Sequence, residues 1–246
     1  MFYDLKRLSV APDARLVILG DPHGDLDGSR RALEREHQPR TVELCVGDVV
    51  GHADGPTSSA LAEYLEQRGV VTIQGNHEEW YLRGRELVFV DKRGADRKLT
   101  GPAHNWVATL PERLDVLCGS TTPVVTLVHG IKRPMWEDVE PGSVGRLVRA
   151  VPDVRVVVVG HSHCPRIFHH IEGERARVTD FAFDEVEEVA HPFPEYGTLV
   201  IDAGSISHPQ RATKGARRTH DFGTYAVIDL AAREARLRRV DKRRPA

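Results

Sequence analysis

Five short segments of this chain combine side chains that bind divalent metals with glycines that let the backbone come close to a ligand. They are Gly20-Asp21-Pro22-His23-Gly24, Gly47-Asp48-Val49-Val50-Gly51, Gly75-Asn76-His77-Glu78, His129-Gly130 and Gly160-His161-Ser162-His163. Asp21 and His23 are two residues apart, as are His161 and His163, so on extended chain each pair reaches one side. The donors are carboxylate, amide oxygen and imidazole without thiolate, a set that favours Mn, Fe, Zn, Co or Ni over Ca or Mg. Asp21, His23, Asp48, Asn76, His129, His161 and His163 are too many for one tetrahedral ion. The natural count is two divalent ions sharing a carboxylate. Such pairs lie about 3.5–4 Å apart and clamp the attacking and leaving oxygens of an in-line displacement. One His at a strand end is more often structural than a ligand, so the reading rests on five blocks occurring together.

Each block follows a short β-branched run that can position it: Arg15–Gly20, Thr41–Gly47, Val70–Gly75, Val124–His129 and Val154–Gly160. Two later runs, Thr198–Ala203 and Thr224–Leu230, complete the strand set. Near-continuous apolar strands such as VVVV suit a sheet buried on both faces. Helical periodicity appears in Leu26–Glu36 behind a capping Asp25, in Ser58–Gln67 and in Ser143–Val151. Alternating strands and helices predict α/β layering, with a more antiparallel arrangement after Val154. In an open α/β sheet, ligands bind outside the carboxyl ends of the strands, so the five blocks are expected to face one crevice.

The chain has 246 residues, 40% of them hydrophobic, enough for a sizeable core. We read residues 1–246 as one domain, with residues 80–110 as a cap or insert. The formal charge of −2, from 34 basic and 36 acidic residues, argues against stable nucleic-acid binding. Three scattered cysteines make no disulfide framework and suit a reducing compartment. The start carries no signal-peptide pattern and no apolar run is long enough for a membrane span, so a cytoplasmic protein is expected.

In this order, GDPHG, GDVVG, GNHE, HG and GHSH resemble the blocks of the calcineurin-like metallophosphoesterases. The ending DAGSISHPQR with GTYAVIDL resembles the tail of that family's small bacterial, phosphodiesterase-like branch. The resemblance implies an α/β/β/α sandwich of two mixed sheets. It implies one metal held by Asp21, His23 and His163, a second held by Asn76, His129 and His161, and Asp48 bridging both. His77 would be a non-ligand catalytic histidine facing a small phosphate-ester substrate. A hydroxide bridging the two ions would attack phosphorus, with His77 assisting the leaving alkoxide. Glu78 is expected either to orient the His77 ring or to serve as a helix-start acid.

Protein Ser/Thr phosphatases of this broad family carry an Arg shortly after the second block. Here the run is GDVVGHADG, and His52 is either a substrate contact in its place or a plain loop histidine. That argues against a protein phosphatase, and the likeness to the small bacterial branch implies a phosphodiesterase. A phosphomonoesterase, a nucleotide pyrophosphatase and a non-catalytic scaffold that binds protein partners are the alternatives. Lys132, Arg133 and Trp136 either grip substrate or form a basic turn with a packed Trp. His208 and Arg211 are expected at the crevice rim, Cys164 as a small buried residue, and His169 and His170 toward solvent.

Overall fold

The computed structural model of the chain describes residues 4–84, 98–132, 136–174, 176–180, 189–208 and 222–241. In chain order they form β1 (Leu5–Ser9), β2 (Arg15–Leu19), α1 (Leu26–Glu36), β3 (Thr41–Cys45), α2 (Gly55–Arg68), β4 (Val71–Thr72) and α3 (Asn76–Leu82). Next come α4 (Gly101–Val107), β5 (Arg113–Leu117), β6 (Pro123–Val128), β7 (Ile131–Lys132), β8 (Trp136–Glu137) and α5 (Val144–Ala150). The last third holds β9 (Val156–Val159), β10 (Arg166–His170), β11 (Arg177–Asp180), β12 (His191–Pro192), β13 (Thr198–Asp202), β14 (Phe222–Asp229) and β15 (Glu234–Asp241).

Helix starts follow their caps. Asp25 accepts from the Gly28 N–H at 2.8 Å, which begins α1 where the sequence predicts. Asp54 accepts from the Thr57 N–H at 2.9 Å, and Pro56 fits the first turn, so α2 starts three residues before the expected Ser58. Gly69 in the left-handed region ends it.

Two mixed sheets pack face to face. One runs β1-β5-β6-β9-β13-β10-β11 and the other β12-β15-β14-β2-β3-β4. Strand alternation builds three apolar layers. Leu16, Ile18, Val156 and Val158 fill the space between the sheets. Val17 and Leu19 face α1, α2 and α4 on one outside, and Val157 and Val159 face α5 on the other. Two buried faces per strand account for the unbroken VVVV run. The fold is the expected α/β/β/α sandwich.

β2, β3 and β4 are mutually parallel in one sheet, as are β6, β9 and β13 in the other. The expected antiparallel character after Val154 holds for β10–β11, β10–β13 and β14–β15. It fails for β9, which pairs parallel with β6 and β13. Only Val71–Thr72 of the expected Val70–Gly75 strand forms ladder, because Ile73 and Gln74 hydrogen-bond to Cys45 and Pro111 carbonyls while turning toward α3. Of the expected cap, Leu99, Ala103 and Val107 pack into the helical-layer core, and residues 85–97 lie outside the described residues. No helix among the described residues is long and apolar enough to cross a membrane.

Candidate metal centre

The carboxyl ends of β2, β3, β4, β6 and β9 converge, and the two sheets are stitched together there. The Asp21 carboxylate accepts from the His161 N–H at 2.7 Å, which ties the end of β2 to the end of β9. The His23 N–H donates to the Asp48 carbonyl at 2.9 Å. A Cβ on Gly160 would lie 2.4 Å from Asp21 Oδ1, and one on Gly75 would lie 2.2 Å from Asp48 Oδ1. The glycines of the blocks are therefore there to let these carboxylates in.

The backbone is strained in the same place. Among the described residues, nine non-glycine residues have positive φ, and six of them are Asp21, His23, Asp48, His52, His161 and His163. Each such residue costs of order 1–3 kcal/mol, a cost retained mainly where function fixes the geometry.

Two donor groups form. In the first, His23 Nε2 lies 2.9 Å from His163 Nε2 and 3.7 Å from Asp48 Oδ2, while His163 Nε2 is 3.7 Å from Asp21 Oδ2. In the second, Asn76 Oδ1 lies 2.9 Å from His129 Nε2 and 2.6 Å from His161 Nδ1, with Asp48 Oδ1 3.4 Å from His129 Nε2. Asp48 thus turns one oxygen to each group. All seven expected ligands except half-buried His161 are almost completely buried.

The hydrogen bonds around the rings test whether cations fit. His23 Nδ1 meets the Val50 carbonyl at 3.0 Å, and His163 Nδ1 meets the His208 carbonyl at 3.2 Å. A carbonyl only accepts, so each Nδ1 carries the hydrogen and each Nε2 presents a lone pair. Two lone pairs 2.9 Å apart repel unless a cation lies between them. His129 repeats the pattern: Nδ1 donates to the Val46 carbonyl at 2.7 Å, and Nε2 faces the Asn76 and Asp48 oxygens. His161 Nε2 faces the Asp138 carboxylate at 3.7 Å. An outer oxygen behind each of these four imidazoles is the arrangement metal-binding histidines use.

Electrostatics agree. Burial pulls the His163 ring down to about 3 and His161 to about 4, and holds His23 well below its ordinary value. These rings offer lone pairs, not protons, at neutral pH. Burial also pulls on His129, but the Asp48 carboxylate and then Asp21 outweigh it and raise the ring to about 10. A proton on Nε2 there sits among acceptors where a divalent ion fits equally well. Burial pushes Asp21 well above the carboxylate range. It pushes Asp48 the same way, but His129 and then His77 pull that carboxyl well below it.

His77 lies beside this centre, its Nε2 4.0 Å from Asp48 Oδ2 and its ring 4.8 Å from that of His23. Glu78 does not touch the His77 ring. Its buried carboxylate accepts from the backbone N–H groups of Asp48, Val50 and Gly75 at 2.8, 2.9 and 2.7 Å. Of the two expected roles, the orienting one is not seen and the helix-start one is too narrow: Glu78 caps α3 and also clamps the loop that carries Asp48. Burial, then repulsion from Asp48, raises this carboxyl to about 7. Glu78→Gln keeps the shape but turns an NH2 toward an N–H donor. Manganese affinity, measured by calorimetry, should fall about 10- to 100-fold, the usual cost of losing an outer-shell partner. Unchanged affinity would mean that the clamp does not hold the ligands.

Trp136 is packed, its indole N–H donating to Glu79 at 2.6 Å and its ring set edge-on 5.3 Å from His129. His52 is exposed with its ring 4.6 Å from that of His23, and half-buried His208 is 5.3 Å from His52. Cys164 is buried, and burial pushes its thiol up. His169 and His170 are half-buried rather than fully exposed, on β10, which pairs with β13 and, at His169, with β11. Arg133, Arg211 and the Lys132 side chain lie outside the described residues. Sequence reasoning missed the ring-orienting carbonyls of Val46 and Val50, which no side-chain pattern signals. It also missed Ser205 and Ser207, whose hydroxyls donate to the Asp21 carbonyl at 2.7 and 3.3 Å. Their signal was GSIS at the end of β13, a sixth strand opening on the crevice.

No curated protein sequence matches the chain. Among solved structures it is similar in fold to a metallophosphoesterase from Sphaerobacter thermophilus, with a TM-score of 0.67 at 20% identity, over 94% of this chain and 89% of that one. It is also similar in fold to a protein serine/threonine phosphatase from Saccharomyces cerevisiae, with a TM-score of 0.55 at 12% identity, over 98% of this chain and 85% of that one. The family model for the calcineurin-like phosphoesterases matches residues 14–165, a span that opens just before β2 and closes two residues after His163. That span takes in all five blocks whose donors converge, and the chain belongs to the calcineurin-like phosphoesterase family.

Proposed function

We propose that the protein is a dinuclear metal-dependent phosphoesterase that hydrolyses a small phosphodiester. The observation that carries this reading is Asp48, whose two oxygens address two separate lone-pair clusters, as a carboxylate shared by two cations must. Asp21, His23 and His163 would hold one divalent ion and Asn76, His129 and His161 the other, with Mn, Fe, Zn, Co and Ni suited to the mixed oxygen and imidazole set. Such ions polarise phosphoryl oxygens and lower a bound water's pKa to about 7.

The chain's own residues do the rest. Asp48 keeps the two sites adjacent. The Val50, Val46 and His208 carbonyls fix three ligand rings so that little reorganisation is needed on binding. His77 presents its Nε2 edge to the crevice and would donate to the leaving alkoxide. His52, an imidazole rather than a guanidinium, suits a singly charged diester better than a dianionic monoester, which an Arg grips bidentately.

The test is hydrolysis of bis-p-nitrophenyl phosphate against p-nitrophenyl phosphate, on protein stripped of metal and refilled singly with Mn, Fe, Co, Ni, Zn or Mg. Two ions per chain and faster metal-dependent turnover of the diester are expected. Faster monoester turnover would replace the diesterase assignment. Two bound ions with turnover of neither ester would instead favour a scaffold that binds protein partners.

A further inference from the structure

A second cavity opens at the other end of β9 and β13 from the donor groups. It encloses about 1060 Å³, room for a small-molecule ligand, between α5, the β10–β11 turn and the segments leading into β9 and β13. Val154 and Arg155 line it before β9 begins, whereas His161 and His163 follow the strand's carboxyl end. The phosphoesterase reading makes no use of it.

Two hydrogen-bond donors meet inside. Arg149 on α5 and His170 at the end of β10 reach toward the same glycine: a Cβ on Gly145 would lie 3.5 Å from Arg149 Nη1 and 3.6 Å from His170 Nε2. Glycine inside a helix costs about 1 kcal/mol relative to Ala, and here its missing side chain lets guanidinium and imidazole share one spot. Arg149 makes no hydrogen bond or ion pair with any described residue. His170 Nδ1 is buried with no partner among the described residues, so the ring's polar contact is left to Nε2, on the Arg149 side. A guanidinium beside an imidazole, with no acceptor between them, is set for an oxyanion.

The same cavity carries an aromatic wall. Tyr196 is 75% exposed, more than any other large hydrophobic side chain among the described residues, yet its turn is firmly held. Arg155 Nη1 donates to the Pro194 and Glu195 carbonyls at 3.2 and 2.6 Å. Gly197 has φ 85°, and a Cβ there would lie 2.2 Å from the His170 carbonyl oxygen, so the turn is pressed against the strand end that carries the imidazole. An aromatic ring fixed in water beside an oxyanion pocket suits a ligand with a planar ring. The remaining charges limit how anionic that ligand can be. Asp153, Glu172, Glu174 and Glu195 line the cavity and repel a polyphosphate, while Arg146 is engaged by Glu137 at 3.1 Å.

We propose that this cavity binds a nucleoside monophosphate, its phosphate held by Arg149 and His170 and its base stacked on Tyr196. The site is separate from the metal crevice and does not depend on the chemistry there.

The experiment is calorimetric titration of AMP into the manganese-loaded full chain, for wild type, Arg149→Ala, Arg149→Lys and Tyr196→Ala, with ATP and adenosine as comparison ligands. Both replaced side chains are exposed, so neither change should disturb the fold. Arg149→Ala should weaken AMP about 10- to 100-fold, the cost of a hydrogen bond to a charged acceptor, and Arg149→Lys should recover part of it. Tyr196→Ala should weaken AMP about 10-fold through lost stacking. The crevice can also hold a phosphate, so binding is assigned to this cavity only where Arg149→Ala weakens it. No AMP binding by wild type, or wild-type affinity in Arg149→Ala or Tyr196→Ala, would overturn the site. AMP binding that needs manganese and not Arg149 would overturn it too, by placing the nucleotide in the metal crevice. Arg149-dependent binding of ATP or adenosine as tight as that of AMP would overturn the monophosphate assignment.

Discussion

Asp48→Ala should reduce bound metal from two ions per chain to at most one and lower turnover about 10³-fold or more, as expected when several kcal/mol of transition-state charge stabilisation are removed. The size follows from position. Asp48 Oδ2 lies 3.7 Å from His23 Nε2 and Oδ1 lies 3.4 Å from His129 Nε2, so one side chain serves both donor groups. Asp21 also comes within 3.7 Å of a ring in each group, but it meets His129 at Nδ1, which donates to the Val46 carbonyl, and not at Nε2. The change also removes the largest influence holding the His129 ring up, so that ring loses charge with its partner. The backbone is spared: the Asp48 N–H still donates to Glu78, and the Asp48 carbonyl still accepts from His23. The His77 N–H loses its acceptor, Asp48 Oδ1 at 3.0 Å, a cost of about 1 kcal/mol. The variant should therefore fold with a small drop in melting temperature and fail in chemistry. Elemental analysis of the refilled protein alongside the bis-p-nitrophenyl phosphate assay checks this. Two retained ions would remove Asp48 from the bridging role.

The convergence of these donor side chains was readable because metal chemistry constrains residue type, and the parallel strands constrain where those residues fall. A strand that ends in Gly-Asp or Gly-His is visible in sequence, since β-branched runs and glycines have different backbone preferences. The sandwich was readable for a related reason. Val156 to Val159 are all apolar because alternate residues serve different layers, and that leaves a continuous run. What was not readable depends on contacts between segments far apart in the chain. Leu5–Ser9 pairs in parallel with Arg113–Leu117 across more than a hundred residues, and its mixed polarity matches no strand template. Glu78 looks the same in sequence whether it orients His77 or clamps the Asp48 loop, because only the fold decides which N–H groups face it. The six left-handed residues are equally silent in sequence: Asp and His are ordinary at turns, and strain appears only once the turn is closed. The same reason hid the helix Gly101–Val107, whose few apolar residues make sense only against α2.

His77→Ala should keep both ions and lower turnover about 10²- to 10⁴-fold, the range for removing a general acid, with the larger loss on esters of poorer leaving groups. Metal retention follows because the tie from His77 to Asp48 Oδ1 is a backbone N–H, which Ala keeps. The rate loss follows from how the ring is held. His77 Nδ1 is buried with no hydrogen-bond partner among the described residues, pressed against Gly51, where a Cβ would lie 2.0 Å from it. Only Nε2 is left to reach substrate. Among the described residues no carboxylate meets Nδ1, unlike the arrangement that makes a histidine a strong base in a catalytic triad. It is positioned by packing, 5.2 Å from the Trp80 ring and 4.8 Å from His23. A histidine held this way suits donation to a departing oxygen better than proton abstraction. Two measurements separate that role from metal binding. A plot of log turnover against leaving-group pKa, across a series of aryl diesters, should steepen in His77→Ala, because the better leaving groups need no proton. Gly51→Ala, which displaces the ring without removing it, should lose turnover with the same leaving-group dependence while holding its manganese. If His77→Ala loses an ion, or slows every ester equally, His77 is a ligand or a packing residue and the proton must come from another group.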